Sequence, residues 1–581
     1  MRNLKVGTYI AIISVACYCS NAWAETISNQ QIPNHQEMLT YLLKADMAMQ
    51  RNMPDVALEN YLIVAQYTHD AQVAQLATEL AIQTQVPDKA IIAAEIWANA
   101  APDDLQAQLI ASTLLLGSNS DKAFSFLNNA FEIKNSEIDQ HLLLVLNQLS
   151  PEGQKSLVSL IYKVAEQRKN DPYAQLAAAV VAAAQLDVTN ATKQVQLALK
   201  LKPDLTNAIE LNAKILSYQS KNDTAALQYL EQQLKKYPNN AELRFFYVTA
   251  LLDNDKTTRA MPSLVILSKD ATYGGEAYII MSEIYIGQEK LTLATDTLKK
   301  ALPFSNSADK AKFYLGQLAE YNKDNIQAVK WYEGVSENSE FQTQAYLRAA
   351  SIYAMAGNYT DALDIVQSAN PSSFEDQKQL LLTEIDIRID ADDLEQALTN
   401  TNKVLAVIPN DIDFLYARSV IYSMQNKPND AEKDLRTILA IDPENADALN
   451  ALGFTLANQP SRMNEAMPLL QQALNMNPDN PAFMDSMGWL LYKMGRHQDA
   501  IAMLNQAYKL SNDDAIAAHL GEVLWASGKK DAAKTVWVQA LDNGQDSAAI
   551  KETLQRLQIP TAELQTTKSP GLKPNSNKAS N

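Results

Sequence analysis

Along most of the chain a small residue, followed three or four positions later by a bulky one, returns at Ala226, Ala260, Ala294, Ala328, Ala362, Ala397, Ala431, Ala466, Ala500 and Ala533. The step is 34 residues with single-residue excursions to 33 and 35, and a phase held that long predicts a helical repeat array. Running the same step backwards reaches Ala191, a degenerate unit centred on Leu157, and then Ala123, Ala90 and Ala57. About fifteen units of about 34 residues therefore fill residues 36–557. Twelve residues before the recurring alanine stands a second small position, as at Gly316, Gly453, Gly488 and Gly521, with Ser282, Ala350 and Ser419 as variants. In a helix pair one backbone closes on its neighbour only where the side chain is a hydrogen or a methyl, and a bulky residue then fills the groove beside it. Tyr285, Tyr332, Tyr353, Leu470, Leu504 and Trp537 are expected to be such fillers, and the unit around Leu157 lacks the small residue. Pro203, Pro238, Pro409, Pro443 and Pro478 fall near unit ends and stop the second helix, since proline has no N–H and clashes with the preceding turn. The pattern predicts an all-α fold of stacked helical hairpins.

Composition narrows this further. Only 16 of the 581 residues are glycine, too few for the tight turns of a sheet-rich protein of this length. The formal charge of −18 argues against nucleic acid, whose phosphates need lysine and arginine, and favours basic or neutral partners. Catalytic patterns are missing: no HExxH, Gly-x-Ser-x-Gly or P-loop occurs, and the five histidines at positions 35, 69, 141, 497 and 519 are too scattered for a metal cluster. His519 with Glu522 is the nearest thing to a paired site, at helical spacing, and reads as structural. Asp103-Asp104, Asp392-Asp393 and Asp513-Asp514 fall where helices begin, where carboxylates cap exposed N–H groups. No catalytic residue, metal, cofactor or small-molecule substrate is expected.

The first residues read as an address. Arg2 and Lys5 precede an apolar run from Val6 to Ala16, long enough for a secretory leader and too short to span a bilayer. Two processing readings stay open. Ala22-Trp23-Ala24 is a cleavage site that would make residues 1–24 a signal peptide; Ser14-Val15-Ala16-Cys17 is similar to a bacterial lipobox, which would end the leader at residue 16 and acylate Cys17. Either reading exports the chain to the periplasmic side of a bacterial envelope, as an outer-membrane lipoprotein held by its lipid or as a soluble protein. A polar tether is expected over residues 25–37, divergent helical repeats over 38–200, the regular array over 201–557 and a disordered tail over 558–581. Leu39, Leu42, Leu43 and Met47 are expected to open the first helix and bury against Val56, Leu58 and Tyr61.

The 34-residue step, the small pair twelve residues apart and the terminal proline resemble the tetratricopeptide repeat. Two longer stretches, Asp485-Ser486-Met487-Gly488-Trp489-Leu490-Leu491-Tyr492 and His519-Leu520-Gly521-Glu522-Val523-Leu524-Trp525, with the early Ala57-Leu58-Glu59-Asn60-Tyr61, resemble the large repeat lipoproteins of proteobacterial envelopes. The resemblance implies a right-handed superhelix, its inner wall formed by the second, fifth, ninth and twelfth positions of each unit. Those positions map here to Asp413, Tyr416 and Val420, to Asp447, Asn450 and Phe454, to Asp485, Trp489 and Tyr492, and to Ala518, Glu522 and Trp525. Tyr416, Asn450, Phe454, Asp485, Trp489, Tyr492, Glu522 and Trp525 are the candidate protein-binding residues, with packing against the next repeat as the competing role for the two tryptophans. By the same resemblance the chain is a non-enzymatic scaffold that gathers a periplasmic carboxyl-terminal processing protease and its substrates, the cell-wall hydrolases. The alternative is a scaffold for assembling an envelope structure such as a polysaccharide exporter or an outer-membrane protein machine.

Overall fold

The computed structural model of the protein describes residues 35–560 and Leu564, apart from residues 52, 134–137, 148, 372 and 543–546. The Val6–Ala16 run, Cys17, Ala24, nearly all of the expected tether and most of the expected tail lie outside the described residues. Among the described residues every regular element is a helix, and the chain divides into two compact units, residues 1–304 and 305–581. The first holds α1 (His35–Gln50), α2 (Pro54–Thr68), α3 (Ala71–Gln83), α4 (Pro87–Ala100), α5 (Leu105–Leu114), α6 (Ser120–Ala130), α7 (Ile138–Leu146), α8 (Pro151–Gln167), α9 (Pro172–Ala184), α10 (Val188–Leu201), α11 (Thr206–Ser220), α12 (Thr224–Lys236), α13 (Ala241–Leu252), α14 (Thr257–Leu267), α15 (Gly274–Gly287) and α16 (Leu291–Ala301). The second holds α17 (Ala308–Tyr321), α18 (Asn325–Glu333), α19 (Gln342–Met355), α20 (Tyr359–Ser368), α21 (Phe374–Asp390), α22 (Leu394–Val407), α23 (Ile412–Met424), α24 (Pro428–Ile441), α25 (Ala446–Ala457), α26 (Met463–Met476), α27 (Pro481–Lys493), α28 (His497–Ser511), α29 (Asp514–Ala526), α30 (Lys530–Asp542) and α31 (Ala548–Arg556).

Apart from α21, which lies equally on α20 and α22, each odd-numbered helix up to α29 packs most extensively on the even-numbered helix that follows it, with one exception. The small residues explain the pairing. A methyl at Gly453 would stand 2.6 Å from Leu470, one at Gly488 2.7 Å from Leu504, and one at Gly316 or Gly521 would overlap the rings of Tyr332 or Trp537. The expected fillers Tyr332, Leu470, Leu504 and Trp537 are thus seated directly against the glycines and fully buried, whereas Tyr285 and Tyr353 are only half-buried. The exception is α7 and α8, which barely approach one another and instead both lie on α9. The position that is alanine in the other units is Leu157 here, with Val145 twelve residues before it; with a branched side chain on both helices the backbones cannot close.

The prolines act with the residue two places on. Tyr237, Ile408, Asp442 and Asn477, each just before its proline, leave the helical conformation and end the second helix. Asn240, Asp411, Asn445 and Asn480 then accept N–H groups of the next helix's first turn, so one Pro-x-Asn/Asp motif closes one helix and opens the next. Asp104, Asp393 and Asp513 cap helices as expected.

The ends depart from expectation. α1 begins at His35, inside the expected tether. Leu58 and Tyr61 are buried, but Leu39, Leu43, Met47 and Val56 are exposed, Leu43 by 54 %. In an array the first helix of a pair offers such residues to the preceding hairpin, and no described hairpin precedes α1. At the other end Ile559 and Leu564 are buried in the core that runs through α29 and α31, so the ordered cover of the array reaches past residue 557.

Candidate functional site

Positions three and four apart on a helix share a face, so the second, fifth and ninth positions of α21, α23, α25, α27 and α29 form one surface per helix. In unit 305–581 that surface changes character along the chain. On α23 the Tyr416 ring is half-buried and its phenol is raised, first by burial and then by the Asp447 carboxylate. On α25, Asp447 is exposed, and Asn450 and Phe454 are partly open. Asn450 and Phe454, but not Asp447, line a groove of about 370 Å³ with Asn480, Asp485 and Ser486, and it ends at the first turn of α29. Asn450 Oδ1 is buried there with no hydrogen-bond partner.

From α27 onward the face is closed. Asp485 is buried, and His519 Nδ1, on α29, donates to its carboxylate oxygens at 2.8 and 2.9 Å. Trp489 is only 6 % exposed: its ring stacks on His519 at 4.2 Å, its Nε1–H donates to Asn458 Oδ1 at 3.0 Å, and Lys493 Nζ stands 4.3 Å from its centroid. Tyr492 is half-buried against Trp489 and His497, and burial followed by the Glu522 charge raises its phenol. Glu522 is 3 % exposed and is held by both terminal nitrogens of Arg556, Nη1 at 2.9 Å. Trp525 is half-buried, with Trp537 at 6.0 Å and Lys530 Nζ at 4.7 Å from its ring.

Of the eight candidates, then, Asp485, Trp489 and Glu522 are packed into the array rather than offered to solvent, while Tyr416, Asn450, Phe454, Tyr492 and Trp525 are all partly open. Of these five, Tyr492 and Trp525 have lysine ammonium groups of the chain over their rings. The reason for the packing is a ladder one repeat long: Asp485 to His519 and Glu522 to Arg556 each bridge 34 positions, so a residue of the next repeat reaches back and covers the wall. The His519 and Glu522 pair read at helical spacing is resolved into these two separate bonds. The covering residues His519, Arg556, Asn458 and Lys493 are not singled out as wall residues by their own repeat positions. The available signal is a hydrogen-bond donor one full period after each carboxylate, histidine after aspartate and arginine after glutamate. Cys17, the candidate lipidation site, lies outside the described residues. Among the described residues no group of three or more histidine, cysteine or acidic side chains could hold a metal, and no helix is long and apolar enough to cross a membrane.

The tetratricopeptide repeat model matches residues 457–507 and 491–557, the segment that carries Gly488, Gly521 and the ladder. A TPR repeat-containing protein of Pseudomonas aeruginosa is 29 % identical over 500 residues, covering 84 % of this chain and 82 % of that one. The type IV pilus assembly protein PilF of the same organism is 26 % identical over 134 residues, 22 % of this chain and 53 % of PilF. Among solved structures, a tetratricopeptide repeat protein from Parabacteroides merdae aligns with 48 % of this chain and 97 % of its own at 18 % identity and a TM-score of 0.33. Hairpins closed on glycine and a 34-residue period give the chain a tetratricopeptide-type helical-hairpin fold, and over residues 457–557 its sequence matches the tetratricopeptide repeat itself.

Proposed function

We propose that this chain is a non-catalytic adaptor of a bacterial envelope that holds a periplasmic processing protease and its cell-wall hydrolase substrates on the first-helix faces of its repeats. Repeat arrays of this kind mediate contacts between proteins. The observation that carries the reading here is the partly open face of α23 and α25, where Tyr416 and Phe454 present rigid rings beside an acceptor, Asn450 Oδ1, that the fold leaves without a donor. Rings of this kind lose little rotamer freedom on binding and anchor interfaces. The apolar run after Arg2 and Lys5 supports an exported location, and the stretches shared with envelope repeat lipoproteins support the protease as partner. The test is capture of proteins from an envelope extract with the tagged chain, beside a Tyr416→Ala/Phe454→Ala variant. A processing protease held by the wild type, accelerated by it and lost by the variant is the expected result; no capture and no acceleration refutes the adaptor.

The sequence similarity to a pilus assembly protein favours one second reading, a scaffold for assembling an envelope structure. Deletion separates the two. Cell-wall hydrolases accumulate if the chain serves a protease, whereas a missing surface structure with unchanged hydrolases marks an assembly role.

A further inference from the structure

The second, fifth and ninth positions of α21, α23, α25, α27 and α29 hold Asp386, Asp413, Asp447, Asp485 and Glu522, and neither lysine nor arginine. On the closed part of the face the protein supplies its own partners, the His519 ring N–H for Asp485 and the Arg556 guanidinium for Glu522. On the open part it does so once: Lys378 Nζ lies 2.9 Å from Asp411 and 2.6 Å from Asp413. For Asp386 and Asp447 no ion pair forms among the described residues. Asp386 is reached by solvent yet crowded by protein, and this desolvation, with Asp390 one turn on, raises its carboxyl above the ordinary value. Two further observations do not depend on the carboxylates. Asn450 Oδ1, on the wall of the 370 Å³ groove, is an acceptor without a donor, and a buried acceptor left unpaired is costly. Where the aromatic rings of this face continue into α27 and α29, ammonium groups stand over them: Lys493 over Trp489 and Tyr492, Lys530 over Trp525. The fold thus repeatedly satisfies this surface with cations and N–H donors wherever it satisfies it at all.

Resting on the adaptor reading, we infer that the open face of α21, α23 and α25 takes an extended polypeptide segment carrying lysine or arginine next to an apolar residue. Its cations lie at Asp386 and Asp447, its apolar side chain lies on Phe454 and Tyr416, and a donor of the segment meets Asn450 Oδ1. Three successive first helices at the usual 8–10 Å spacing extend over about 20 Å, which about six extended residues cover. The formal charge of −18 draws such a segment in and repels an acidic one.

The test uses the full chain and three fluorescein-labelled peptides of about ten residues, one alternating lysine with leucine and serine, one with glutamate and one with glutamine in place of lysine, read by anisotropy at low and physiological salt. The lysine peptide is expected to bind, to weaken as salt rises, and to lose roughly tenfold in affinity on Asp386→Asn/Asp447→Asn, the worth of one or two charge-assisted contacts. Both positions are exposed and the replacements keep shape, so circular dichroism should not change. Equal binding of the glutamate or glutamine peptide, or no response to the double substitution, overturns the cationic preference. If those peptides bind and Phe454→Ala abolishes it, the open face still binds protein and only the charge assignment fails. If no peptide binds and protease capture survives Tyr416→Ala/Phe454→Ala, both the assignment and the adaptor site are wrong.

Discussion

Single residues decide how close two helices come, and the clearest case is Trp537 against Gly521. The indole is fully buried, its Nε1–H has no acceptor, and a methyl on Gly521 would collide with it. Phenylalanine keeps most of the ring and removes an unpaired donor whose burial costs about 1–3 kcal/mol. Trp537→Phe is therefore expected within about 1 kcal/mol of wild type, since a small cavity offsets that gain, whereas Trp537→Ala costs about 3–5 kcal/mol; urea titration of α30 fluorescence and circular dichroism distinguishes them. Glu432 is the electrostatic counterpart. It accepts from Arg462 Nη2 at 2.9 Å and Arg436 Nε at 2.7 Å, and these guanidiniums, Arg462 foremost, hold its carboxyl at about 2. A carboxyl depressed in the folded state stabilises the protein above its unfolded value, here 4.5, and that contribution fades as pH falls from there toward 2. Glu432→Gln should cost about 1 kcal/mol at neutral pH, the worth of a partly exposed network, and the gap between variant and wild type should close below pH 4.5. A gap that stays constant with pH would assign the effect to packing. The glycine and its filler are legible in the sequence because both follow the period. The Glu432 network is not, because its partners stand at 30 and 4 positions from it, Arg462 and Arg436, and neither distance is the period.

At the scale of the element, the turn inside most hairpins repeats like the helices. One residue before the second helix's N-cap the backbone is left-handed, as glycine at Gly357, Gly495 and Gly528, but as Gln85, Leu186, Glu289 and Lys323 elsewhere. Leu186 has φ 60° and is 70 % exposed. It contributes little packing while holding a conformation that costs an L-residue about 1–2 kcal/mol; glycine there avoids this but adds about 0.5–1 kcal/mol of chain entropy. Leu186→Gly is expected to stabilise by about 0.5–1 kcal/mol, seen as a higher urea midpoint at unchanged slope, and a lower midpoint would show that Leu186 packs in solution. The helices, their pairing and their stops were readable from spacing alone, and so was the irregular unit of α7 and α8, where Leu157 replaces the recurring alanine. The accessible part of the wall was not. A wall position states which face a side chain occupies, but its exposure depends on what the next repeat sends back, and that is a property of two units together.

For the molecule as a whole, each hairpin in unit 305–581 is stabilised by itself and its neighbours, so the consequences of a defect should stay near it. The design of the hairpins makes this testable with matched lesions. Gly316 on α17 and Gly521 on α29 are the same repeat position, each closed by an aromatic ring, with the hairpins of α19 to α28 between them in sequence. Gly316→Val and Gly521→Val each force a ring out of its groove and should cost about 1–3 kcal/mol by overpacking. If stability is carried hairpin by hairpin, the double variant loses the sum of the two within about 0.5 kcal/mol. Amide exchange should rise around α17 and α18 and around α29 and α30, with α23 and α25 unchanged. A protein that folds through one shared core gives a different answer: the second lesion acts on a structure already loosened everywhere, exchange rises throughout, and the costs do not add. The additive outcome bears directly on binding, because it means the open face of α23 and α25 keeps its geometry while either flank is disturbed, and partner affinity at Phe454 should then be the same in both single variants as in the wild type.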